Sequence, residues 1–325
     1  MSQIVVESLW KRFQVAERKP GFVGALRGVF SRSYREINAL RNVGFSVEPG
    51  ELVGYIGPNG AGKSTTIKVL SGILAPSSGK CEINGLTPWL NRQQHVKNIG
   101  VVFGQRTQLW WDLPVVESFE LLRDIYQVPT RDYKDRRDEL VQTMQIEDLL
   151  DTPVRQLSLG QRMRCDLVAA LLHRPSILFL DEPTIGLDAV SKLAIREFIR
   201  KLNRDHGVTV ILTTHDMDEI EALCERIIVI DNGAIFNDGT LESLRSRVNP
   251  ERRLKVEFSE NIAFSHDDVR IVSREGNTLH LSFNPNRMTT TGLIQLLSES
   301  YPVKDLFVEN PPIEEIIAQL YETNS

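Results

Sequence analysis

An α/β core with a helical insertion, followed by a small α+β appendage, is the fold class this sequence predicts. Three observations predict it. Short, near-continuous apolar runs such as ILFLDE, VTVILTTH and RIIVIDNGAI alternate with helical stretches over residues 1 to about 240, the pattern of strands covered on both faces. From Gln105 to Leu172 the reading is mostly helical, as in VVESFELLRDIY and LVAALL, so helices interrupt the sheet. From about residue 246 the character changes: LKVEFS, VRIVSR and TLHLSF read as strands, GLIQLLSES and IEEIIAQLYE as helices. The expected division is therefore 1–245 for the core, with its helical region at about 106–172, and 246–325 for the appendage. A chain of 325 residues has room for both.

Along the core, IVVESL and FSVEPGELVGYIG read as strands. STTIKVLSGIL reads as a helix with Ile67, Leu70, Ile73 and Leu74 on one stripe. Residues 16–33, AERKPGFVGALRGVFSRS, carry Arg18, Lys19, Arg27 and Arg32 against one acid, Glu17. They read either as a long surface loop or short solvated helix, or as a basic, partly apolar patch facing lipid headgroups or a membrane partner.

Hydrophobic residues at 41% and charged residues at 25% are ordinary globular composition. A net charge of -5 and a pI near 5.8 argue against a nucleic-acid partner. The three cysteines, Cys81, Cys165 and Cys224, stand apart, with no CxxC or Cys/His cluster; this suits a reduced compartment and buried apolar roles. MSQIVVESLW lacks the basic and apolar regions of a signal peptide. No apolar run approaches the roughly 18 residues that span a bilayer. The expectation is a cytosolic chain that reaches a membrane only through a partner.

Gly57–Ser64, GPNGAGKS, fits G-x-x-x-x-G-K-[ST] between a strand, ELVGYI, and a helix, STTIKVL. In such a loop the glycines let successive N–H groups turn inward on phosphate oxygens. The helix that follows adds its positive end. Gly57, Pro58, Asn59, Gly60, Ala61 and Gly62 form the candidate cradle. Lys63 supplies a point charge for the β- and γ-phosphates, and Ser64 a hydroxyl for Mg2+.

SILFLDEP sets Asp181 and Glu182 at the end of a buried strand, where ligand sites of parallel α/β sheets lie. Asp181 is the candidate to approach Mg2+, and Glu182 the candidate general base for an attacking water. VTVILTTHD ends on His215, which can hydrogen-bond a γ-phosphate and sense its presence. VVFGQ ends on Gln105, whose amide can touch Mg2+ or the water where the chain enters the helical region.

These pieces in this order resemble the nucleotide-binding subunit of ATP-binding cassette (ABC) transporters over roughly residues 1–240. The resemblance rests on the Walker A run GPNGAGKS, Gln105 of the Q-loop, the signature LSLGQ, the Walker B run ILFLDE, the D-loop TIGLD and His215 of the switch. It implies a RecA-like P-loop core with an inserted helical subdomain, and two cassettes paired head to tail around two ATP molecules with Mg2+. It implies Lys63, Ser64 and Thr65 on phosphates and metal, Asp181 and Gln105 in the metal shell, Glu182 as the catalytic carboxylate, His215 on the γ-phosphate and Asp188 at the dimer seam. Tyr34, in YREINAL, is the expected adenine stack, with Phe13 in LWKRF as the rival. Trp110 and Trp111 follow the Q-loop, where the family receives a helix of the membrane subunit; they read equally as interface anchors or as buried packing.

The turn QLSLGQR looks inert on its own chain. The resemblance makes Ser158, Leu159, Gly160 and Gln161 the cap on the ATP held by the opposite subunit. Leu159 replaces the family's first glycine; it is expected in ordinary helical geometry, in contact with the facing subunit. Overall the chain resembles ATPase subunits of sodium, drug and viologen-type exporters, which sit on the cytoplasmic face of the membrane by way of separate permease chains. Alternatives are a soluble cassette ATPase without a permease, and the ATPase of an importer or polysaccharide exporter.

Overall fold

The computed structural model describes residues 2–16, 34–104, 106–248 and 251–309. Gln105, the basic segment with Arg18, Lys19, Arg27 and Arg32, and the tail run IEEIIAQLYE lie outside the described residues. The chain divides into two compact units, Met1–Gly239 and Thr240–Ser325.

In the first unit, β1 (Ile4–Ala16), β2 (Tyr34–Val47) and β4 (Ser78–Ile83) form an antiparallel sheet in the order β2-β1-β4. The strands β3 (Leu52–Ile56), β5 (Ile99–Phe103), β6 (Ile177–Asp181), β7 (Thr209–Thr213), β8 (Arg226–Asp231) and β9 (Ala234–Thr240) make a six-stranded sheet in the order β5-β6-β7-β3-β8-β9. Its pairs β5/β6, β6/β7, β7/β3 and β3/β8 are parallel. Every residue of β6 and β7 is buried, which explains their unbroken apolar runs. Each such Leu, Ile or Val stabilises the fold by about 1.5–3 kcal/mol relative to exposure.

Register decides where the chemistry falls. Phe103 pairs with Asp181, Asp181 with Thr213, and Thr213 with Tyr55. Four parallel strands thus end in one row, and the residues just beyond them, Gly57, Gly104, Glu182 and Thr214, leave the sheet on the same side.

Among the described residues of this unit, the sheets are accompanied by helices α1 (Lys63–Leu70), α2 (Arg92–Val96), α3 (Val115–Tyr126), α4 (Thr130–Met144), α5 (Leu159–Leu171), α6 (Ala189–His206) and α7 (Met217–Leu223). Helices α3 to α5 fall in the 106–172 stretch. Helix α1 is shorter than the apolar spacing suggested. Gly72 takes φ +74 and turns the chain, so Ile73 and Leu74 lie beyond the helix and Ile73 stays 48% exposed. RIIVIDNGAI is a hairpin rather than one strand: Asn232 and Gly233 both have positive φ, 46° and 81°, as a two-residue type I′ turn needs. The core between the sheets and α1 holds Tyr55, Ile67, Leu70, Phe179, Ile211, Ile228 and Ile230. Cys81, Cys165 and Cys224 are buried and unbridged.

The second unit opens with α8 (Leu241–Val248), ahead of the division the sequence suggested, because an eight-residue helix follows β9 without a compositional break. Then β10 (Arg252–Phe258), β11 (Val269–Glu275), β12 (Thr278–Phe283), α9 (Thr290–Ser300) and β13 (Val303–Glu309) follow. The sheet is antiparallel in the order β11-β12-β10-β13. Alternate residues Leu254, Val256 and Phe258 meet Leu279, Leu281 and Phe283, and Leu293 and Leu297 of α9 close this core.

Candidate functional site

The cradle is built by close approach. A side chain on Gly57 would place its Cβ 2.1 Å from the Ile230 carbonyl oxygen, and one on Gly62, at φ +114, 2.7 Å from that of Ala39. Only glycine fits either place. The loop curls around Lys63, whose ammonium donates to the Gly57 carbonyl at 2.7 Å and the Pro58 carbonyl at 3.2 Å. Burial lowers the Lys63 pKa, and the charges of Glu182 and Asp181 oppose that. Helix α1 begins at Lys63 with no side-chain cap, so its first N–H groups face the loop. Pro58, Asn59 and Gly60 are exposed along the rim, Ala61 is buried, and Ser64 and Thr65 open the helix.

The row of strand ends supplies the acids. Asp181 Oδ1 accepts hydrogen bonds from Thr213 Oγ1 at 2.6 Å and from Ser64 Oγ at 3.2 Å. Glu182 follows with φ 55, a left-handed conformation that costs a non-glycine residue about 1–3 kcal/mol. Its N–H is fixed by the Thr213 carbonyl at 2.9 Å. Its carboxylate Oε1 lies 3.6 Å from His215 Nδ1. Asn59, Ser64, Asp181, Glu182 and His215 line one cleft of about 660 Å3, together with Lys68, Ile73, Phe103, Gly104, Arg106 and Ile185. Gly104, the neighbour of Gln105, donates its N–H to the Asp181 carbonyl at 2.8 Å.

These residues fit a nucleotide with Mg2+. The glycines leave room at the backbone, the lysine brings positive charge, and Ser64 and Asp181 present hard oxygens side by side. Among the described residues no cluster of three His, Cys, Asp or Glu side chains forms a ready cage. That suits Mg2+, which takes one or two protein ligands and keeps waters and phosphate oxygens for the rest.

The signature turn stands apart from this cleft. Ser158 caps α5 through a capping box: its Oγ accepts from Gln161 N at 3.2 Å, and Gln161 Oε1 accepts from Ser158 N at 2.9 Å. The Ser158 hydroxyl proton stays free to donate outward. Leu159 is helical, and its side chain turns onto Gly186 of its own chain: its Cδ2 lies 3.1 Å from where a Gly186 Cβ would stand. Gly160 is pressed against Ser191, since a Cβ on it would stand 2.7 Å from the Ser191 hydroxyl. Asp188 caps α6 through Ser191 N at 2.9 Å. Signature and D-loop therefore form one surface.

The two aromatic candidates lie on opposite faces of the β1–β2 ribbon. Phe13 pairs with Ile37 and Tyr34 with Ala16 in unbroken register, so the two side chains alternate to opposite sides. Tyr34 is 52% exposed; the Phe13 ring is covered by the Lys11 ammonium at 5.1 Å. Trp110 and Trp111 are 39% and 51% exposed, and the Arg162 guanidinium sits 5.6 Å over the Trp111 ring.

Three residues escaped sequence reasoning. Thr213, which holds Asp181, carries a signal in hindsight, since TT before His215 ends a buried strand. Asp166 is buried in α5 and accepts from Thr107 Oγ1 at 2.9 Å and Gln108 N at 3.0 Å. Glu219 is fully buried at the start of α7. An isolated acid in an amphipathic pattern gives no warning that it is buried.

Comparison with known proteins agrees with this geometry. The family model described as ABC transporter matches residues 40–185. The chain is 30% identical over 298 residues to the linearmycin resistance ATP-binding protein LnrL of Bacillus subtilis, covering 89% of this chain and 95% of that one. It is 33% identical over 240 residues to the methionine import ATP-binding protein MetN 2 of Enterococcus faecalis, covering 72% and 69%. A solved dimeric ATP-binding cassette in a post-hydrolysis state, bound to ADP and Pi, superposes with a TM-score of 0.61 at 28% identity, over 73% of this chain and 98% of that one. The parallel-sheet core thus has the RecA-like P-loop fold of such cassettes. The chain belongs to the ABC transporter family, as the ATP-binding and ATP-hydrolysing subunit of a transporter.

Proposed function

We propose that this subunit hydrolyses ATP between two copies of the cassette and so drives export through separate membrane permease chains, on the cytoplasmic face of the membrane. The observation that carries the hydrolytic part is the single cleft holding Ser64, Asp181, Glu182 and His215 beside the Lys63 cradle.

In this reading the backbone N–H groups of residues 57–64 and the start of α1 hold the phosphate chain, and Lys63 balances charge on the β- and γ-phosphates. Ser64, Asp181 and Gln105 would hold Mg2+, which supplies charge neutralisation on the phosphate oxygens when bound. Glu182 takes a proton from the water that attacks the γ-phosphorus, and the bond to the β-phosphate oxygen breaks. His215, 3.6 Å from Glu182, donates to a γ-phosphate oxygen and holds it toward the base. Catalysis is mostly positioning and charge stabilisation. Ser158, Leu159, Gly160 and Gln161 cap the nucleotide of the facing copy, with Asp188 at the seam and Tyr34 under the adenine.

The export reading is supported by the resistance protein, which aligns over 89% of this chain and 95% of its own length. No described helix is long and apolar enough to cross a membrane; in this reading separate permease chains provide the path. Exposed Trp110 and Trp111 offer them an anchor.

The deciding experiment is Glu182→Gln. It binds ATP as the wild type does and loses roughly 100-fold or more in turnover, the loss of a general base. Turnover at the wild-type rate would remove Glu182 from that role.

A further inference from the structure

We propose that Glu219 is a positioning residue for hydrolysis: its buried carboxylate, on the helix that follows His215, holds Thr184 and so sets the spacing of Glu182 and His215. The proposal rests on the roles given above to Glu182 and His215.

Glu219 Oε2 accepts a hydrogen bond from Thr184 Oγ1 at 2.9 Å. Glu219 is 0% exposed, and Thr184 and Thr214 are each 2% exposed. Thr184 stands two residues after Glu182, and Glu219 four after His215. One hydrogen bond thus ties the segment that carries the base to the helix that follows the phosphate sensor.

Helix stability does not account for an acid here. Helix α7 already has its cap, because Asp216 accepts from Glu219 N. Burial works against the charge and raises the Glu219 pKa, and a methionine or leucine of similar volume would avoid that cost. What an apolar side chain lacks is an acceptor for the Thr184 hydroxyl. A second tie reinforces the first. Asp216, next to His215, binds Lys192 at 2.7 Å and Arg196 at 3.2 Å on α6, the helix capped by Asp188. The loop with His215 and the segment from Glu182 to Asp188 are therefore joined by two acids, one inside and one at the rim.

The test compares Glu219→Met, Glu219→Gln, Thr184→Val and Glu182→Gln in the full chain. Turnover, KM for ATP, affinity for trinitrophenyl-ATP and thermal unfolding are measured on each. Glu219→Met and Thr184→Val are expected to lower kcat roughly 10- to 100-fold, the cost of a small misplacement of catalytic groups, with nucleotide affinity within about 3-fold. Glu219→Gln, whose amide oxygen still accepts from Thr184, keeps kcat within about 3-fold. Wild-type kcat in Thr184→Val or Glu219→Met overturns the proposal. So does parallel loss of kcat and nucleotide affinity, or a loss in Glu219→Gln as large as in Glu219→Met. If Glu219→Met does not fold, Thr184→Val decides. Glu182→Gln separates the two levels: full turnover there defeats the assignment of the base, whereas an inactive Glu182→Gln beside a fully active Thr184→Val defeats only the positioning role.

Discussion

Thr213 donates its hydroxyl to Asp181 Oδ1 at 2.6 Å, and both side chains are buried at the ends of adjacent parallel strands. A charge-assisted hydrogen bond of this kind contributes about 1.5–3 kcal/mol. Thr213→Val keeps the shape and deletes the donor. Urea unfolding should show a loss of that order. The concentration of Mg2+ that gives half-maximal ATPase activity should rise, because Asp181 loses one of the two hydroxyls that aim it. Thr213→Ser restores both; a Mg2+ dependence unchanged in Thr213→Val would show that Asp181 is held well enough by Ser64 alone.

Gly104 touches Glu182 so closely that a Cβ would stand 1.9 Å from the Glu182 carbonyl oxygen. Glu182 is already left-handed at φ 55, so it has no easy way to yield. Gly104→Ala should destabilise by roughly 1–3 kcal/mol, as overpacking does, and lower turnover further than that loss of stability explains. Gly207→Ala is the control. Gly207 has φ +64 with open space around it, so the variant should lose about 1 kcal/mol through backbone strain alone and keep its ATPase rate. Equal activity in the two variants would show that the Gly104 contact has no bearing on Glu182.

Much of the site was legible because phosphate binding is local. A glycine loop between a strand and a helix carries its chemistry in consecutive residues, and a buried strand ending in Asp-Glu points to the sheet edge. The parts that stayed hidden depend on register and on contacts far apart in sequence. Nothing in TVILT says that Thr213 lies beside Asp181 until β6 and β7 are paired. Gly72 looks like any helix residue in an apolar stripe, yet a left-handed turn there ends α1 early. Nothing in LSLGQ says that the Leu159 side chain packs near Gly186 until the signature turn and the D-loop are brought together.

Asp166 carries a charge inside α5, where burial pushes its carboxyl from 3.8 up to about 6. Between those values the folded chain binds a proton that the unfolded chain has lost, so this group's contribution falls as pH rises from about 4 to 6 and is level above. The difference is on the order of 3 kcal/mol. Asp166→Asn retains an oxygen for Thr107 and Gln108 and removes the titration. Unfolding free energies measured from pH 4 to 8 should therefore show the variant gaining on the wild type up to about pH 6, then keeping a constant lead. A flat difference across this range would mean that Asp166 titrates normally.

Ser158 has two candidate duties, capping α5 and donating to a nucleotide on the facing copy, and Ser158→Asp parts them. Aspartate is as good a cap as serine, so stability should hold within about 0.5 kcal/mol, while its charge repels phosphate and hydrolysis stops. An equal mixture of Ser158→Asp and Glu182→Gln chains should regain about a quarter of wild-type turnover, because half of the head-to-tail dimers are mixed and each has one intact site. No recovery on mixing would place both residues in the same site.

Tyr34 and Phe13 separate by the face they occupy. Tyr34, opposite Ala16, is 52% exposed; Phe13 faces the other way beneath Lys11. Stacking of a base on an aromatic ring contributes about 1–3 kcal/mol, so Tyr34→Ala should weaken ATP binding by roughly 5- to 150-fold with kcat at saturating ATP little changed. Tyr34→Trp should bind as the wild type does, since any broad π-face serves. Phe13→Ala should leave nucleotide affinity as it was. The reverse result, loss in Phe13→Ala and none in Tyr34→Ala, would move the adenine to the opposite face of the ribbon.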